Sequence, residues 1–304
     1  MRRHHLRFLV LMSGFVLLAG GLNVVRGQGQ QGRPNTFDNS IKYNSGQGIQ
    51  PVFEGWSRNA DGTVNLHFGY LNRNWVETPN IPVGPNNNLQ PGGPDRGQPT
   101  FFYTRTQRNL FSIVVPRDAS ANPNNKVTWT ITHNGVTHSA NGWQQVEWEI
   151  DAVGGASGGG RTDKESLANQ FPSIKVDPVA AVALPAKATV TANVTDDGLP
   201  KPRPRAKPAV GQETPPILVS EVDSPVNLPY LDSTNEAPRP DGLTVDYIVW
   251  RGPADATFEP KFAQVEAGKA TTTVTFTRPG EYQLQAVVND GQKVAKQIVP
   301  VVVK

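Results

Sequence analysis

Residues 126–140 read KVTWTITHNGVTHSA, and this stretch is the clearest predictor of the fold class. Polar and apolar side chains alternate on both sides of Asn134-Gly135, as is typical of strands that place one face in a core. Asn-Gly favours the positive φ angles of a type I′ turn, which joins two antiparallel strands through two residues. The stretch therefore predicts a β-hairpin of Lys126–His133 and Val136–Ala140, with Trp129 facing inward.

A second hairpin is predicted earlier in the chain. Val52–Arg58 and Thr63–Asn72 flank the turn at residues 59–62, and alternation in the second strand places four apolar side chains on one face. These are Val64, Leu66, Phe68 and Tyr70. Three more strands are predicted here, at Thr100–Arg105, Asn109–Val115 and Gln144–Asp151. In the last of these, Val146, Trp148 and Ile150 are expected to face the core, and a long loop rich in Pro and Asn should run from Pro79 to Pro99.

Residues 1–27 predict export. Three arginines precede the apolar run Phe8–Leu18, and small residues follow it up to Gly27, as in a secretory signal peptide. A second cut after Gly21 is also compatible with the pattern. If neither cut were made, Phe8–Val25 is long enough to remain as a membrane anchor. With the peptide removed, no integral membrane segment is expected, and the location would be periplasmic, cell-surface or extracellular.

The basic composition of the chain comes from this N-terminal segment. Four of the 29 Lys and Arg residues lie within residues 1–27, which leaves 25 basic against 26 acidic side chains afterwards. A nearly neutral mature chain lacks the positive field that nucleic acid binding requires, so we expect no nucleic acid partner. The chain has no cysteine, so its stability must come from hydrophobic cores without disulfides.

The composition changes along the chain predict five segments. After the signal peptide at 1–27, residues 28–45 form a disordered lead-in rich in Gln, Gly and Asn. A β-sandwich domain follows at 46–152, then a Gly-rich linker at 153–172 and a second domain at 173–304. The second domain contains a Pro-rich insertion at about 201–240, which begins KPRPRAKP at 201–208; these prolines favour extended polyproline II, and the start is basic. This insertion is interpreted as a solvated loop or, alternatively, as a docking arm for an acidic partner.

Several motifs of the second domain carry a family resemblance. They are VALPA at 182–186, TDDGLP at 195–200, LTVDY at 243–247, PGEYQL at 279–284 and NDG at 289–291. Together they resemble the PKD-like repeats of bacterial surface proteins, over residues 173–304. The resemblance implies an immunoglobulin fold that serves as a spacer or binding module without catalysis. In the first domain, the runs FEGW at 53–56 and FGYLNRN at 68–74 resemble only those of uncharacterised exported bacterial proteins.

Periodicity supports the same fold independently of the resemblance. Alternating apolar side chains predict two matching strands, with Leu243, Val245, Tyr247 and Val249 in one and Tyr282, Leu284, Ala286 and Val288 in the other. Tyr282 follows a Pro-Gly turn and is predicted to bond the backbone as a tyrosine corner. The predicted fold class is therefore all-β, with two β-sandwich, immunoglobulin-like domains joined by the Gly-rich linker.

A calcium site is predicted at one end of the second domain. Asp196 and Asp197 begin one loop and Asp290 lies in another, and these two loops share an end of the sandwich in the immunoglobulin topology. Carboxylates that converge with loop carbonyls suit calcium, which takes six to eight oxygen ligands. The alternative is that these aspartates are ordinary turn formers that cap backbone amides. No other cofactor is predicted.

Aromatic side chains provide the candidate ligand-binding residues of the first domain. Trp75 and Trp143 lie in or beside loops and could stack on sugar rings or anchor a partner. The alternative is that both pack beneath the long loop, as most aromatic side chains are buried. Trp148 is instead expected in the core with Trp129.

The sequence provides weak support for an enzyme. A hydrolase would need His67, His133, Glu147 and Glu149 to converge, although His67 is expected to point away from its core. We therefore predict a non-catalytic exported protein that acts in binding, adhesion or structural interaction. Its partner would be an envelope or extracellular protein or a polysaccharide. The alternatives are a carbohydrate-binding accessory protein and an uncharacterised hydrolase with a site in the first domain.

Overall fold

The computed structural model describes residues 43–150, 164–201 and 239–304. The predicted signal peptide lies outside the described residues, as do most of the predicted lead-in, Gly-rich linker and Pro-rich insertion. No helix in the described ranges is long and apolar enough to cross a membrane. The structure is built almost entirely of antiparallel strands, which confirms the predicted all-β class.

Residues 43–150, called the first lobe below, contain two three-stranded sheets. The strands are β1 (Ile49–Arg58), β2 (Val64–Asn72), β3 (Asn87–Gln90), β4 (Arg105–Val115), β5 (Val127–His133) and β6 (Val136–Gly142). The sheet orders are β1-β2-β4 and β3-β5-β6, with every pairing antiparallel. A short 3-10 turn at Val146–Trp148 follows the last strand. The two sheets face each other across one core.

Both predicted hairpins are confirmed. In β5–β6, His133 lies opposite Val136, and the turn residues Asn134 and Gly135 have φ angles of 51° and 75°. These positive values are those that a type I′ turn demands. The four apolar side chains predicted for the core face of β2 are buried, and Trp129 is fully buried.

Trp129 lies at the centre of the first lobe's core. Its ring packs edge-on against Phe68 and Phe111, with centroid separations of 6.3 and 5.0 Å. Its indole Nε1 donates a hydrogen bond of 3.0 Å to the side-chain oxygen of the buried Asn87. Asn87 belongs to β3, which lies inside the segment that the sequence predicts to be a loop. That segment is therefore built into the fold through β3 and cannot act as one long free loop.

Two strand predictions in the first lobe are wrong. Thr100–Arg105 is irregular up to the start of β4 at Arg105, because the amides of Thr100 and Phe101 donate to the carbonyl of Trp250. Gln144–Asp151 contains the 3-10 turn instead of a strand. Val146 and Trp148 are 69% and 46% exposed, so they lie outside the core that the sequence analysis assigned to them.

The remaining described residues form the second lobe. Its elements are α1 (Lys164–Ala168), β7 (Ser173–Val176), β8 (Ala188–Thr195), β9 (Thr244–Arg251), β10 (Ala256–Glu259), β11 (Phe262–Gln264), β12 (Lys269–Phe276), β13 (Gly280–Asn289) and β14 (Val294–Val303). Two four-stranded sheets have the orders β10-β12-β8-β7 and β11-β9-β13-β14. In an immunoglobulin sandwich, strands A, B and E share one sheet and C, F and G the other. The positions of β7, β8 and β12 against β9, β13 and β14 match this arrangement.

The core of the second lobe agrees with the predicted alternation. All four inward residues of β13 are buried, and β9 contributes Val245, Tyr247 and Val249 opposite them. The Tyr282 hydroxyl donates a 2.9 Å hydrogen bond to the carbonyl of Arg278. The predicted tyrosine corner is therefore confirmed.

Strand β9 is buried on both of its faces, which alternation did not predict. Its second face carries Ile248 and Trp250, and both pack into the core of the first lobe. The Trp250 ring lies 6.1 Å from that of Phe111, and its Nε1 donates to the carbonyl of Gly97 at 3.1 Å. The described residues between Tyr43 and Lys304 consequently form one compact unit.

Candidate functional site

The predicted calcium ligands lie at the ends of strands in the second lobe, and their carboxylates cap backbone amides. Asp196 accepts from the amide of Gly198 at 2.9 Å. Asp197 accepts from Leu199 and from Gln170 at 2.9 and 2.8 Å. The buried Asp290 side chain accepts from the two amides at residues 292 and 293, both at 2.6 Å. Each aspartate thus stabilises its own turn.

The charges of these aspartates nevertheless interact. Burial raises the pKa of Asp196, and the negative charges of Asp290 and Asp197 raise it further. One buried oxygen of Asp196, Oδ1, accepts no hydrogen bond. Within the part of the chain that the structure describes, no three His, Asp or Glu side chains are grouped so that they could hold a metal ion. The calcium site remains a prediction.

Thermal unfolding tests the calcium hypothesis. A bound cation would neutralise the repulsion around Asp196, so the hypothesis predicts that calcium raises Tm and that Asp197→Asn removes the increase. Magnesium is the control, because it demands a tighter octahedral site. A Tm that does not respond to calcium would exclude the site.

The two predicted ligand-binding tryptophans are half-buried. The guanidinium carbon of Arg105 lies 4.3 Å from the centre of the Trp75 ring, so a cation already occupies one face of that ring. Trp143 precedes the 3-10 turn, and its carbonyl accepts from the amide of Gln145 at 3.0 Å. A ligand-binding role for Trp75 and Trp143 remains a prediction.

The residues considered for a hydrolase have separate partners. His67 lies between the hydroxyls of Ser57 and Ser112, with 2.8 Å on each side, and burial lowers its pKa to about 4. His133 bonds a carboxylate oxygen of Glu77 at 3.0 Å. Glu149 is paired with Arg58, and Glu147 is exposed. These contacts do not join the residues in one hydrogen-bonded network.

The structure instead presents an aromatic surface at the 3-10 turn, here named the Trp148 platform and defined by Phe53, Arg58, Val146, Trp148 and Glu149. The Trp148 ring is stacked on that of Phe53, with the centroids 5.4 Å apart and the planes at 7°. Phe53 is almost fully buried, whereas Trp148 is 46% exposed. Phe53 therefore backs part of the indole, while nearly half of Trp148 remains accessible to solvent.

The backbone beneath the platform is tied to β1. Ile150 donates its amide to the carbonyl of Trp56 at 2.7 Å, and the indole Nε1 of Trp56 donates to the carbonyl of Gln145 at 2.6 Å. At Gly55, φ is +121°, and a Cβ there would lie 2.6 Å from the carbonyl oxygen of Trp148. Only glycine fits this β-bulge. These contacts hold the platform rigidly.

A charged pair borders the platform. The Arg58 guanidinium donates two hydrogen bonds to the Glu149 carboxylate, at 2.5 and 2.9 Å. Their side chains are 53% and 30% exposed. Arg58 holds the pKa of Glu149 below its usual range. The platform thus combines a flat apolar ring with fixed hydrogen-bonding groups.

The platform was not predicted, because residues 146–150, VEWEI, alternate as a core strand would. The local pattern does not record that β1 bulges at Gly55. Gly55, within the alternating run of β1, is the sequence feature that indicates this bulge, because an isolated glycine in a strand often marks one.

A second unpredicted cluster lies between the two lobes. Glu54 accepts a hydrogen bond from the amide of Asn109, and Lys296 donates to the carbonyls of Asn109 and Leu110. Burial raises the pKa of Glu54 to about 7 and lowers that of Lys296 to about 8. Lys296 is an exposed residue of β14, and its ammonium reaches β4 of the first lobe.

Glu54 is expected to make stability depend on pH. Its pKa is about 7 in the folded chain against an ordinary 4.5, so its contribution to stability is complete below pH 4.5 and is lost as the pH rises through 7. The full loss should be about 3–4 kcal/mol, since the pKa values of 4.5 and about 7 differ by roughly 2.5 and each pKa unit corresponds to about 1.4 kcal/mol. Urea unfolding of the wild type and Glu54→Gln at pH 4.5–7.5 measures it.

Comparing the wild type with Glu54→Gln separates the effect of Glu54 on stability from the effects of other titrating groups. Lys296 acts in the opposite sense, because its lowered pKa adds stability only as the pH rises above about 8. The Glu54→Gln variant should lack most of the fall in stability, whereas Glu147→Gln, an exposed control, should retain it. Equal pH slopes for wild type and Glu54→Gln would contradict the assignment.

No family model matches the chain, and no curated protein matches it. Among solved structures, domains 4 and 5 of the S-layer protein SbsC are 12% identical, with 84% of this chain and 98% of that chain covered and a TM-score of 0.23. The D00-D0 domain of intimin is 13% identical, with 84% and 99% covered and a TM-score of 0.24. The I67-I69 fragment of titin is 10% identical, with 84% and 64% covered and a TM-score of 0.23. These scores are too low to assign a family, so the PKD-like resemblance remains a prediction.

Proposed function

We propose that this chain is an exported, non-catalytic protein that acts as a binding or adhesion module of the cell envelope or extracellular space. The observation that carries the proposal is the Trp148 platform, a rigid aromatic surface presented to solvent. Export rests on the prediction from residues 1–27. The PKD-like resemblance of the second lobe supports a role in supporting or spacing a binding surface.

The contacts of the polar side chains support binding over catalysis. A catalytic site directs a nucleophile, a base and an electrophilic group at one reacting atom. Here His67 is held between two serines, His133 is paired with Glu77, and Glu149 is paired with Arg58. Binding sites, by contrast, are dominated by a few rigid aromatic and arginine anchors, and the platform contains both.

Retention experiments test the proposal. The chain without its predicted signal peptide, residues 28–304, is immobilised and exposed to solubilised envelope proteins and, separately, to purified polysaccharides. We expect one of them to be retained by the wild type and lost by Trp148→Ala. The whole mature chain is required, because the two lobes share a core.

Two results would contradict the proposal. One is that neither envelope protein nor polysaccharide is retained above the level of a column without protein. The other is a steady release of soluble fragments from a retained polymer, which would indicate a hydrolase.

A further inference from the structure

We infer that the Trp148 platform binds carbohydrate, with one pyranose ring lying flat on the exposed face of the Trp148 indole. This inference rests on the proposed function and specifies the ligand class of the same surface. It moves the candidate sugar contact from Trp75 and Trp143 to Trp148.

The apolar part of the inference follows from the stacking geometry. One face of a pyranose ring presents several C–H groups, and a flat aromatic ring is the side chain best suited to cover them. Phe53 supports the inner face of Trp148 with its plane only 7° away. Trp148 is 46% exposed, and we assign the sugar to the part of the indole that Phe53 does not cover. Val146, two residues earlier in the same turn, is 69% exposed.

The polar part of the inference comes from Arg58 and Glu149. Sugar hydroxyls project from the ring edge and need both donors and acceptors, usually a few well-placed polar groups beside an apolar surface. Arginine has five N–H donors, and the contact with Glu149 uses two of those of Arg58. Glu149 directly follows Trp148 in the chain, so we assign the sugar hydroxyls to Glu149 and to the Arg58 guanidinium that it binds.

Rigidity favours a weak, shallow ligand of this kind. Binding loses free energy for each side chain that must be ordered, whereas the Trp148 ring is already held by Phe53 and by the bonded turn. The platform therefore needs little rearrangement to bind a sugar ring.

The size and charge of the surface favour sugar over protein. A stable protein interface buries about 800 Å² on each partner, and charged residues are depleted at its centre. The platform has a single exposed aromatic ring and includes an ion pair whose side chains are 53% and 30% exposed. A protein partner is accordingly treated as an alternative outcome of the test.

The test uses the mature chain, residues 28–304, and three insoluble polysaccharides: cellulose, chitin and purified peptidoglycan. Depletion of the protein from solution measures retention. We expect the wild type to be retained by at least one polymer, and Trp148→Ala and Trp148→Leu to reduce retention at least tenfold. Phe171→Ala, which removes another exposed aromatic side chain, is the matched control and should be retained like the wild type.

The Trp148→Leu variant separates binding from folding. The shorter leucine side chain would still cover Phe53, so Tm should stay close to that of the wild type, whereas the flat ring needed for stacking is lost. If the alanine variant does not fold, the leucine variant decides the result.

Three outcomes would overturn the inference. The first is a wild-type chain that none of the polymers retains, and the second is undiminished retention of a folded Trp148→Leu variant. The third is retention of an envelope protein through Trp148 without any polysaccharide binding. That last result would refute the carbohydrate inference and leave the proposed binding function intact.

Discussion

Trp250→Ala is expected to lower the free energy of unfolding by about 3–5 kcal/mol, because removing a large buried aromatic side chain leaves a cavity. Trp250 is only 3% exposed, although it extends from the second lobe into the core of the first. Its ring contacts Phe111. The truncation should therefore weaken both lobes together.

Hydrogen bonds add to this coupling. The indole Nε1 of Trp250 donates to the carbonyl of Gly97. The backbone carbonyl of Trp250 accepts from the amides of Thr100 and Phe101. The adjacent Arg251 is paired with Asp95 of the first lobe at 2.8 and 3.0 Å. These contacts predict that the wild type unfolds in one cooperative transition.

Urea unfolding of residues 28–304, followed by circular dichroism and fluorescence, measures this effect. Trp143→Ala is a suitable control, because truncating this half-buried side chain should lower the free energy of unfolding by clearly less. A loss under about 1 kcal/mol for Trp250→Ala would show that the shared core contributes little. Separate transitions of the two lobes in the wild type would contradict the coupling directly.

Arg239→Met should also lower the free energy of unfolding by about 3–5 kcal/mol, because it leaves the buried Asp246 carboxylate without its charged partner. Arg239 donates to Asp246 and, at 2.7 Å, to the hydroxyl of Thr244. The side chains of the pair are only 9% and 1% exposed. Burial raises the pKa of Asp246 even though Arg239 opposes the shift.

A double variant distinguishes the pair from simple packing. Arg239→Met with Asp246→Leu removes both charges, so it should recover most of the stability lost by the single variant. Arg251→Met is the matched control, because its partner Asp95 is half exposed and screening by water reduces the loss. A double variant as unstable as Arg239→Met alone would contradict the ion-pair explanation.

The Arg239 pair also bears on the predicted Pro-rich insertion. Arg239 lies at the C-terminal end of that segment, and its guanidinium is 4.7 Å from the centre of the Phe262 ring. The pair therefore fixes the point where the insertion rejoins the second lobe. Any docking role for the insertion would start from this anchored end.

Local sequence determined the features that depend on neighbouring residues. The Asn134-Gly135 turn and the alternation beside it specify a hairpin without help from the rest of the chain, since only that backbone geometry suits both. The same holds for the core face of β2 and for the Tyr282 corner. The all-β class follows from these local patterns together.

Tertiary structure alone decided what covers the second face of each strand. Alternation predicts that one side of β9 is buried, but burial of Ile248 and Trp250 requires the first lobe to pack against it. Likewise, residues 146–150 alternate like a core strand, yet the bulge at Gly55 and the stack on Phe53 place Trp148 at the surface. The physical reason is that periodicity records the side on which apolar groups lie, whereas their exposure depends on distant parts of the chain. The candidate site depends on the exposure of Trp148, which the local sequence does not determine.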